Sequence, residues 1–219
     1  MKAALVALVL ASASIVPAQA QPARPRVADP AFEAYERGDV GRAVDAYRTL
    51  AARGDAVAQY NVAVIRLRDE SDSVPLETAL DYLRDSARQG YARAQHLLGT
   101  LHESGRHVER SQPAAIRWFT LAAEQGLTDA QLALATQYYL GRGAERDYAR
   151  AAQWYERAAD GGDVGAQYLI ASMYETGLGV VRDLRTALVW YTAAARQGDR
   201  AAGLKARSLA DDLARERRS

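Results

Sequence analysis

The fold of this chain is decided by a stretch near its C-terminal end, Ala166 to Gly198, which reads AQYLIASMYETGLGVVRDLRTALVWYTAAARQG. Shifting the stretch back by 36 residues aligns it with AQLALATQYYLGRGAERDYARAAQWYERAADGG, Ala130 to Gly162. Two further shifts of the same length reach Ala94 to Gly126 and Ala58 to Gly90, and no gap is needed. A fixed period of this length indicates an array of structural repeats that stack on one another.

Each 36-residue repeat carries two runs of apolar residues with helical spacing, separated by a turn. The first run begins at an Ala-Gln pair, such as Ala166-Gln167, and in the last three repeats the second run carries an aromatic pair followed by paired alanines. The second run ends at a glycine, the residue preferred just past a helix C-terminus. This glycine keeps its register in Gly54, Gly90, Gly126, Gly162 and Gly198. The sequence therefore predicts an all-α fold, a right-handed α/α solenoid (superhelix) of 36-residue helix–turn–helix repeats.

The register also predicts the organisation of the chain. Four repeats are expected at residues 56–91, 92–127, 128–163 and 164–199. Residues 31–55 keep the register only in their second half, which predicts an N-terminal capping hairpin. Residues 200–219 keep an alanine in register but lack the aromatic pair and end in charged residues. This composition predicts a C-terminal capping helix, because the last repeat must cover its apolar face with a polar one.

The N-terminus has the features of a secretory signal peptide over residues 1–20. Lys2 supplies a positive charge, a short apolar run follows, and Ala18-Gln19-Ala20 forms a small-residue cleavage site. Because the apolar run is shorter than the roughly 20 residues of a spanning helix, we favour cleavage after Ala20 over an uncleaved anchor. The mature protein is then expected to be periplasmic or secreted. The prolines of residues 21–30 predict an extended linker.

Composition excludes several classes of function. The chain has no cysteine, so disulfides, thiol catalysis and thiolate metal sites are ruled out. Its formal net charge is +1, which provides neither the basic surface of a nucleic-acid-binding protein nor a polybasic membrane patch. We therefore expect no nucleic-acid partner and no integral membrane segment after signal cleavage.

The repeat motifs resemble those of a known family. The Ala-Gln pairs, the Gly-x-Gly turns at Gly141-Arg142-Gly143 and Gly177-Leu178-Gly179, the Trp-Tyr pairs and the Ala-Ala pairs resemble the Sel-1-like repeats, which are related to tetratricopeptide repeats. The resemblance covers about two-thirds of the chain. It is weakest in residues 56–91, where Arg66 replaces an aromatic residue and Asp69-Glu70-Ser71-Asp72 replaces the Gly-x-Gly turn. It implies an α/α superhelix used as a protein-interaction scaffold, often in bacterial envelope signalling or assembly.

A candidate binding surface follows from the same resemblance, since first helices line the concave face of tetratricopeptide-like superhelices. The positions one, five and eight residues after each repeat glutamine share a helical stripe. We predict that this stripe binds a protein or peptide partner; the alternative is that part of it, notably Leu132 and Tyr168, packs against the neighbouring repeat. The predicted residues are Tyr60, Val64, His96, Thr100, Glu103, Leu132, Thr136, Tyr139, Tyr168, Ser172 and Glu175, with Leu67 at the same register.

Metal and cofactor binding are not indicated. His96, His102 and His107 fall in one repeat, but their spacing matches no recognised ligand pattern. His96 and His102 occupy positions where other repeats have tyrosine, so they are interpreted as substitutions at structural positions. The register shared by Trp118, Trp154 and Trp190 likewise indicates core residues, not a ligand-stacking ladder.

Catalysis is not indicated either. A serine enzyme of the β-lactam-binding kind requires Ser-x-x-Lys, and Lys205, the single lysine after the signal segment, has no serine three residues before it. No set of nucleophile, base and orienting group is recognisable. The sequence therefore predicts a non-catalytic periplasmic adaptor that binds a protein or peptide partner. The alternative is a glycan-associated component of a polysaccharide or cell-wall machine, and a hydrolase is a third possibility.

Overall fold

The computed structural model describes residues 29–68 and 71–216, and within them the chain forms eleven helices and no strand. The predicted signal peptide and most of the predicted linker lie outside the described residues, as do Asp69, Glu70 and residues 217–219. The chain divides into two compact units, one ending at Arg110 and one beginning at Ser111.

The first unit contains five helices, each packed against the next along the chain. They are α1 (Pro30–Glu36), α2 (Val40–Ala51), α3 (Ala56–Leu67), α4 (Leu76–Arg88) and α5 (Ala92–Ser104). Aspartates Asp29, Asp39 and Asp55 accept hydrogen bonds from free backbone N–H groups at the start of α1, α2 and α3. The short α1 and the longer α2 form a helical hairpin ahead of the first full repeat.

The second unit contains six helices, again packed in consecutive pairs. They are α6 (Gln112–Glu124), α7 (Thr128–Leu140), α8 (Tyr148–Asp160), α9 (Val164–Thr176), α10 (Leu184–Arg196) and α11 (Arg200–Glu216). The bounds of α5, α7 and α9 repeat at the 36-residue period of the sequence, and so do those of α6, α8 and α10. The predicted all-α array of helix–turn–helix repeats is therefore confirmed.

Small side chains form much of the core between helices. In the second unit, Ala135, Ala151 and Ala158 are completely buried beside Ile170. Because alanine adds little bulk, neighbouring helices can approach closely at these positions. Trp154 and Trp190 pack against this cluster, as the sequence predicts, although each keeps part of its ring surface accessible.

The glutamine of each Ala-Gln pair ties one repeat to the one before it. Its side-chain Nε2 donates to a backbone carbonyl in the last turn of the preceding second helix, where carbonyls lack an intrahelical partner. The distances are 3.2 Å from Gln59 to Ala51, 3.1 Å from Gln95 to Ala87, 3.2 Å from Gln131 to Ala123 and 3.2 Å from Gln167 to Ala159. All four side chains are buried, so each repeat depends on a polar contact that water cannot replace.

The Gly-x-Gly turns place backbone against backbone. The second glycines, Gly143 and Gly179, have φ angles of 75° and 74°. A Cβ added to Gly143 would lie 2.6 Å from the backbone carbon of Gln112 at the start of α6, and one added to Gly179 would meet the backbone of Tyr148 at the start of α8. Each turn therefore rests on the first residue of the preceding second helix, which explains the glycine at this position. In the second repeat His107 takes the same position with φ 63°.

None of the described helices is both long enough and apolar enough to cross a bilayer.

Candidate functional site

The first helices α7 and α9 have one packed face and one open face. The packed face holds the repeat glutamine and the buried residues three and four positions after it, Leu134-Ala135 and Ile170-Ala171. At about 100° per residue, the opposite face falls two residues before the glutamine and two, five and nine residues after it. We call these positions the outer row, and all of them are exposed or half-buried. They are Asp129, Ala133, Thr136 and Leu140 in α7, and Gly165, Leu169, Ser172 and Thr176 in α9.

Two leucines make the outer row partly apolar. Leu140 is 38% exposed and Leu169 is 37% exposed, although core positions in the same helices are fully buried. Hydroxyl groups occur in the same row at Thr136, Ser172 and Thr176, and those of Thr136 and Thr176 donate to carbonyls of their own helix at 2.9 and 2.8 Å, so toward a ligand they can accept. A surface of this composition can bury apolar side chains of a ligand and exchange hydrogen bonds with its backbone.

The predicted stripe in the second unit is turned toward the second helices instead. Tyr139 contacts Tyr148 and Tyr155 edge-on, with ring centroids 5.3 and 6.3 Å apart. Tyr168 contacts Tyr191 in the same manner at 5.3 Å. Leu132 packs against the buried cluster of the third and fourth repeats. These residues are half-buried and supply packing between helices. The ring contact of Tyr168 lies within its own repeat, whereas the cluster against which Leu132 packs includes residues of the neighbouring fourth repeat.

The position five residues after the glutamine belongs both to the predicted stripe and to the outer row. Thr136 Oγ1 donates to the Leu132 carbonyl at 2.9 Å and lies 3.1 Å from the Tyr155 hydroxyl. Ser172 occupies the same position in α9 and is half-buried. In the second unit, these two residues are the part of the predicted stripe that also lies in the outer row.

Glu175 forms a small polar network. Its Oε2 accepts from the Tyr191 hydroxyl at 2.7 Å, and its Oε1 accepts from Lys205 Nζ at 2.9 Å. Burial by itself would raise the pKa of Glu175, but the hydrogen bonds from Tyr191 and Lys205 outweigh it, and the pKa lies below its ordinary value. Burial, and then the hydrogen bond to Glu175, raise the pKa of the Tyr191 phenol. The network joins α9, α10 and α11.

In the first unit most of the predicted stripe is buried. Tyr60 is 2% exposed, Val64 1% and Thr100 4%, and the Tyr60 ring contacts Tyr91 edge-on at 5.3 Å. Burial also raises the pKa of Tyr91 to about 12. A partner could not reach Tyr60, Val64 or Thr100 without a rearrangement of the unit. His96 and Glu103 are half-buried.

The stripe therefore differs from the open face for a geometric reason. Positions one and eight after the glutamine lie about a quarter turn from the packed face, so they line the contact with the second helix. The face opposite the buried glutamine was readable from the sequence, because the Ala-Gln pair marks the packed side in every repeat. Partner binding at the eleven predicted residues stays a prediction. Because Tyr60, Val64 and Thr100 are buried, the prediction now applies to the residues of the second unit and to His96 and Glu103.

Two of the three histidines contact atoms of the loop that follows α5. His102 Nδ1 lies 3.0 Å from the Glu109 carbonyl, and His107 Nε2 accepts from Arg106 Nε at 3.0 Å. Among residues 29–68 and 71–216, no three His, Asp or Glu side chains are grouped as metal ligands.

Comparison with protein families matches the repeats directly. The model described as "Sel1 repeat" matches residues 56–91, 92–127, 128–163 and 164–199. These matches cover more than half of the chain.

Solved structures support the same assignment. A Sel1 repeat protein from Oxalobacter formigenes is 30% identical with a TM-score of 0.71, covering 77% of this chain and 49% of that one. A protective antigen with an SLR fold, c5321 of uropathogenic Escherichia coli, is 28% identical with a TM-score of 0.76, covering 93% of this chain and 42% of that one. This chain thus spans about half the length of these solved relatives. The F-box protein At1g70590 of Arabidopsis thaliana is 39% identical over 75 residues, which are 34% of this chain and 21% of that protein.

Proposed function

Since this chain belongs to the Sel1 repeat family, we propose that it is a non-catalytic scaffold whose outer row binds an extended segment of a partner protein. One observation carries the proposal: α7 and α9 each leave a row of residues exposed or half-buried on the side opposite their packed face. The same positions are open in two successive repeats, so a linear partner can contact both.

The composition of the outer row defines the partner's chemistry. The half-exposed Leu140 and Leu169 favour a segment that brings at least one apolar side chain. A few such anchors commonly supply most of the affinity of an interface. Thr136, Ser172 and Thr176 lie where they could bond to backbone groups of the segment, and Asp129 favours a basic residue at one end. This description fits a peptide segment better than a sugar, because no aromatic ring is present in the outer row.

We place this scaffold in the periplasm or outside the cell, on the strength of the signal-peptide pattern in residues 1–20. Mass spectrometry of the protein from the native envelope tests the location. Cleavage after Ala20 is expected, and recovery of a full-length chain in the cytoplasm would contradict it.

Photo-crosslinking in cells tests the scaffold proposal. A benzophenone amino acid is introduced at Leu140 or Leu169 in the outer row, and, as matched controls, at the exposed Gln153 and Arg117 on second helices. We expect a discrete protein adduct at the outer-row positions and none at the controls. Far-UV circular dichroism of each variant confirms the helical fold.

Two results would contradict the proposal. Adducts formed equally at Gln153 and Arg117 would show that the outer row is not the contact surface. Absence of protein adducts, together with binding of purified protein to cell-wall polysaccharide, would replace the peptide partner with a glycan.

A further inference from the structure

The fourth repeat has a surface that its neighbours lack. Val181, in the turn before α10, is 88% exposed, and Val189, on α10, is 65% exposed. Because the repeats align without gaps, each valine can be compared with the residues at the equivalent positions of the second and third repeats. Val181 corresponds to the exposed Glu109 and Glu145, and Val189 to the exposed Arg117 and Gln153. The second and third repeats thus place polar side chains at both positions, whereas the fourth exposes apolar ones.

The charge of this surface is also different. Helix α10, LRTALVWYTAAAR, contains Arg185 and Arg196 and no acidic residue. Helix α8 balances its arginines with Glu156 and Asp160, and α6 balances Arg117 with Glu124. Arg182 adds a further positive charge just before α10. The fourth repeat therefore combines exposed valines with uncompensated positive charge along its second helix.

The nearest acidic group is already engaged. Asp183 caps α10, where its Oδ1 accepts from the Arg185 and Thr186 backbone N–H groups at 2.9 and 3.3 Å, and its Oδ2 accepts from Thr186 Oγ1 at 2.7 Å. These hydrogen bonds, that from the Thr186 hydroxyl first, hold the pKa of Asp183 below its ordinary value. The carboxylate offsets one positive charge of the surface, and two remain.

The arginines of this surface differ in what they contribute to the helix. Arg185 lies in the first turn of α10, where the helix dipole disfavours a positive charge, and it interacts electrostatically with Asp183. Arg196 is exposed in the last turn, where the dipole favours a positive charge, and it makes no ion pair with any described residue. Arg182 has a structural contact, because its Nε donates to the Glu175 carbonyl at 3.0 Å. Two of the three arginines are therefore available to a partner.

We propose that a face of the fourth repeat docks an acidic amphipathic helix of a partner protein. Arg185, Val189 and Arg196 share one side of α10 by their spacing, and Val181 and Arg182 precede them in the turn. Carboxylates of the partner pair with Arg185 and Arg196, and its apolar side chains cover the two valines. Opposite charges flanking an apolar centre are the usual arrangement of a specific interface. An anionic membrane is less suited, because interfacial binding requires a broad apolar face and this surface offers two small side chains. This face is separate from the outer row, so either proposal can fail without the other.

Peptide binding tests the proposal. The probe is a fluorescent helix-forming peptide of about 18 residues, long enough for helicity, with a stripe of Leu flanked by Glu. A peptide with Gln in place of Glu serves as the neutral reference, and vesicles of phosphatidylglycerol serve as the anionic membrane. Fluorescence anisotropy measures the dissociation constants at low and moderate salt.

The variants use residues that the array already accepts. Val181→Glu and Val189→Gln introduce the residues of the third repeat at those positions, so the fold is expected to be retained. The double variant should weaken binding of the acidic peptide by about tenfold or more, as expected when apolar anchors are lost. Arg185→Glu/Arg196→Glu should weaken it similarly and remove its salt dependence. Arg207→Glu, an exposed change on α11, should have little effect.

Each remaining outcome overturns the proposal. Equal affinity for the acidic and neutral peptides would remove the role of the arginines. Unchanged affinity in the valine variant, with helicity intact, would place binding elsewhere. Binding to phosphatidylglycerol vesicles without binding to the acidic peptide would identify a membrane-facing surface instead.

Discussion

The loops that join the two helices of a repeat differ between the two units. In the second unit, Gly143 and Gly179 have positive φ angles and bring the turn against the backbone of the preceding second helix. In the first unit, His107 adopts the same left-handed conformation at φ 63°, and the loop of the first repeat has no Gly-x-Gly motif at all. The helices of both units nevertheless keep the same period, so the loop chemistry is not what sets the repeat.

The feature common to both units is the buried glutamine. Gln59 and Gln95 bond to the previous second helix in the first unit, and Gln131 and Gln167 do so in the second. Contacts between helices therefore preserve the repeat where the loops diverge. The glycine turns then add local stability where close approach is used, and the first unit lacks that contribution. The three tryptophans all lie in the second unit, so their fluorescence reports on it alone.

The largest expected effect comes from Gly179→Ala. The new Cβ would meet the Tyr148 backbone, and alanine is strained at φ 74°, so we expect a loss of about 3 kcal/mol in the free energy of unfolding. Urea unfolding followed by tryptophan fluorescence measures it. The control is Gly162→Ala, where φ is 91° and nothing lies within 4 Å, and where strain alone should cost about 1 kcal/mol. Equal losses in the two variants would show that the close approach contributes nothing.

An intermediate effect of opposite sign is expected for His107→Gly. Glycine removes the strain of a left-handed histidine, and the first unit should gain about 1 kcal/mol. Thermal and urea unfolding followed by far-UV circular dichroism measure the change. His107→Asn should fall between wild type and glycine, because asparagine tolerates this conformation better than histidine. A less stable glycine variant would mean that the contact of His107 with Arg106 outweighs the strain.

The smallest effect concerns the network of Glu175 and depends on pH. Because the pKa of Glu175 in the folded protein lies below its ordinary value of 4.5, its contribution is present above that pH and is lost as the pH falls through the folded value. Glu175→Gln should lower stability at neutral pH by about 0.5 kcal/mol, since the ion pair with Lys205 is partly exposed. Tryptophan-monitored unfolding should show a shallower loss below pH 4.5 in the variant than in wild type. Identical acid profiles would contradict this role.

Much of the fold was predictable because each feature recurs in several aligned repeats, so an exception in one repeat does not hide it. Four aligned copies identified the helices, the C-terminal glycines and the core role of the tryptophans, and the observed helix bounds repeat at the predicted period. The candidate site is less determined by the sequence. Aromatic side chains such as Tyr139 and Tyr168 serve equally at interfaces and in helix packing. Their ring contacts with second helices show a packing role, and partner binding at them stays a prediction.

The sequence by itself determined the period, the all-α class and the family of this protein, because spacing, Ala-Gln pairs and C-terminal glycines are local signals that recur. The Ala-Gln pair marks the packed side of a first helix in the sequence, but the tertiary structure decided that the opposite side stays open in α7 and α9. Which side of a helix is accessible depends on where the neighbouring helices lie. Here the second helices cover the tyrosines and leave Leu140 and Leu169 accessible. It also decided that Val181 and Val189 are exposed, since an apolar residue at helical spacing is equally compatible with the core.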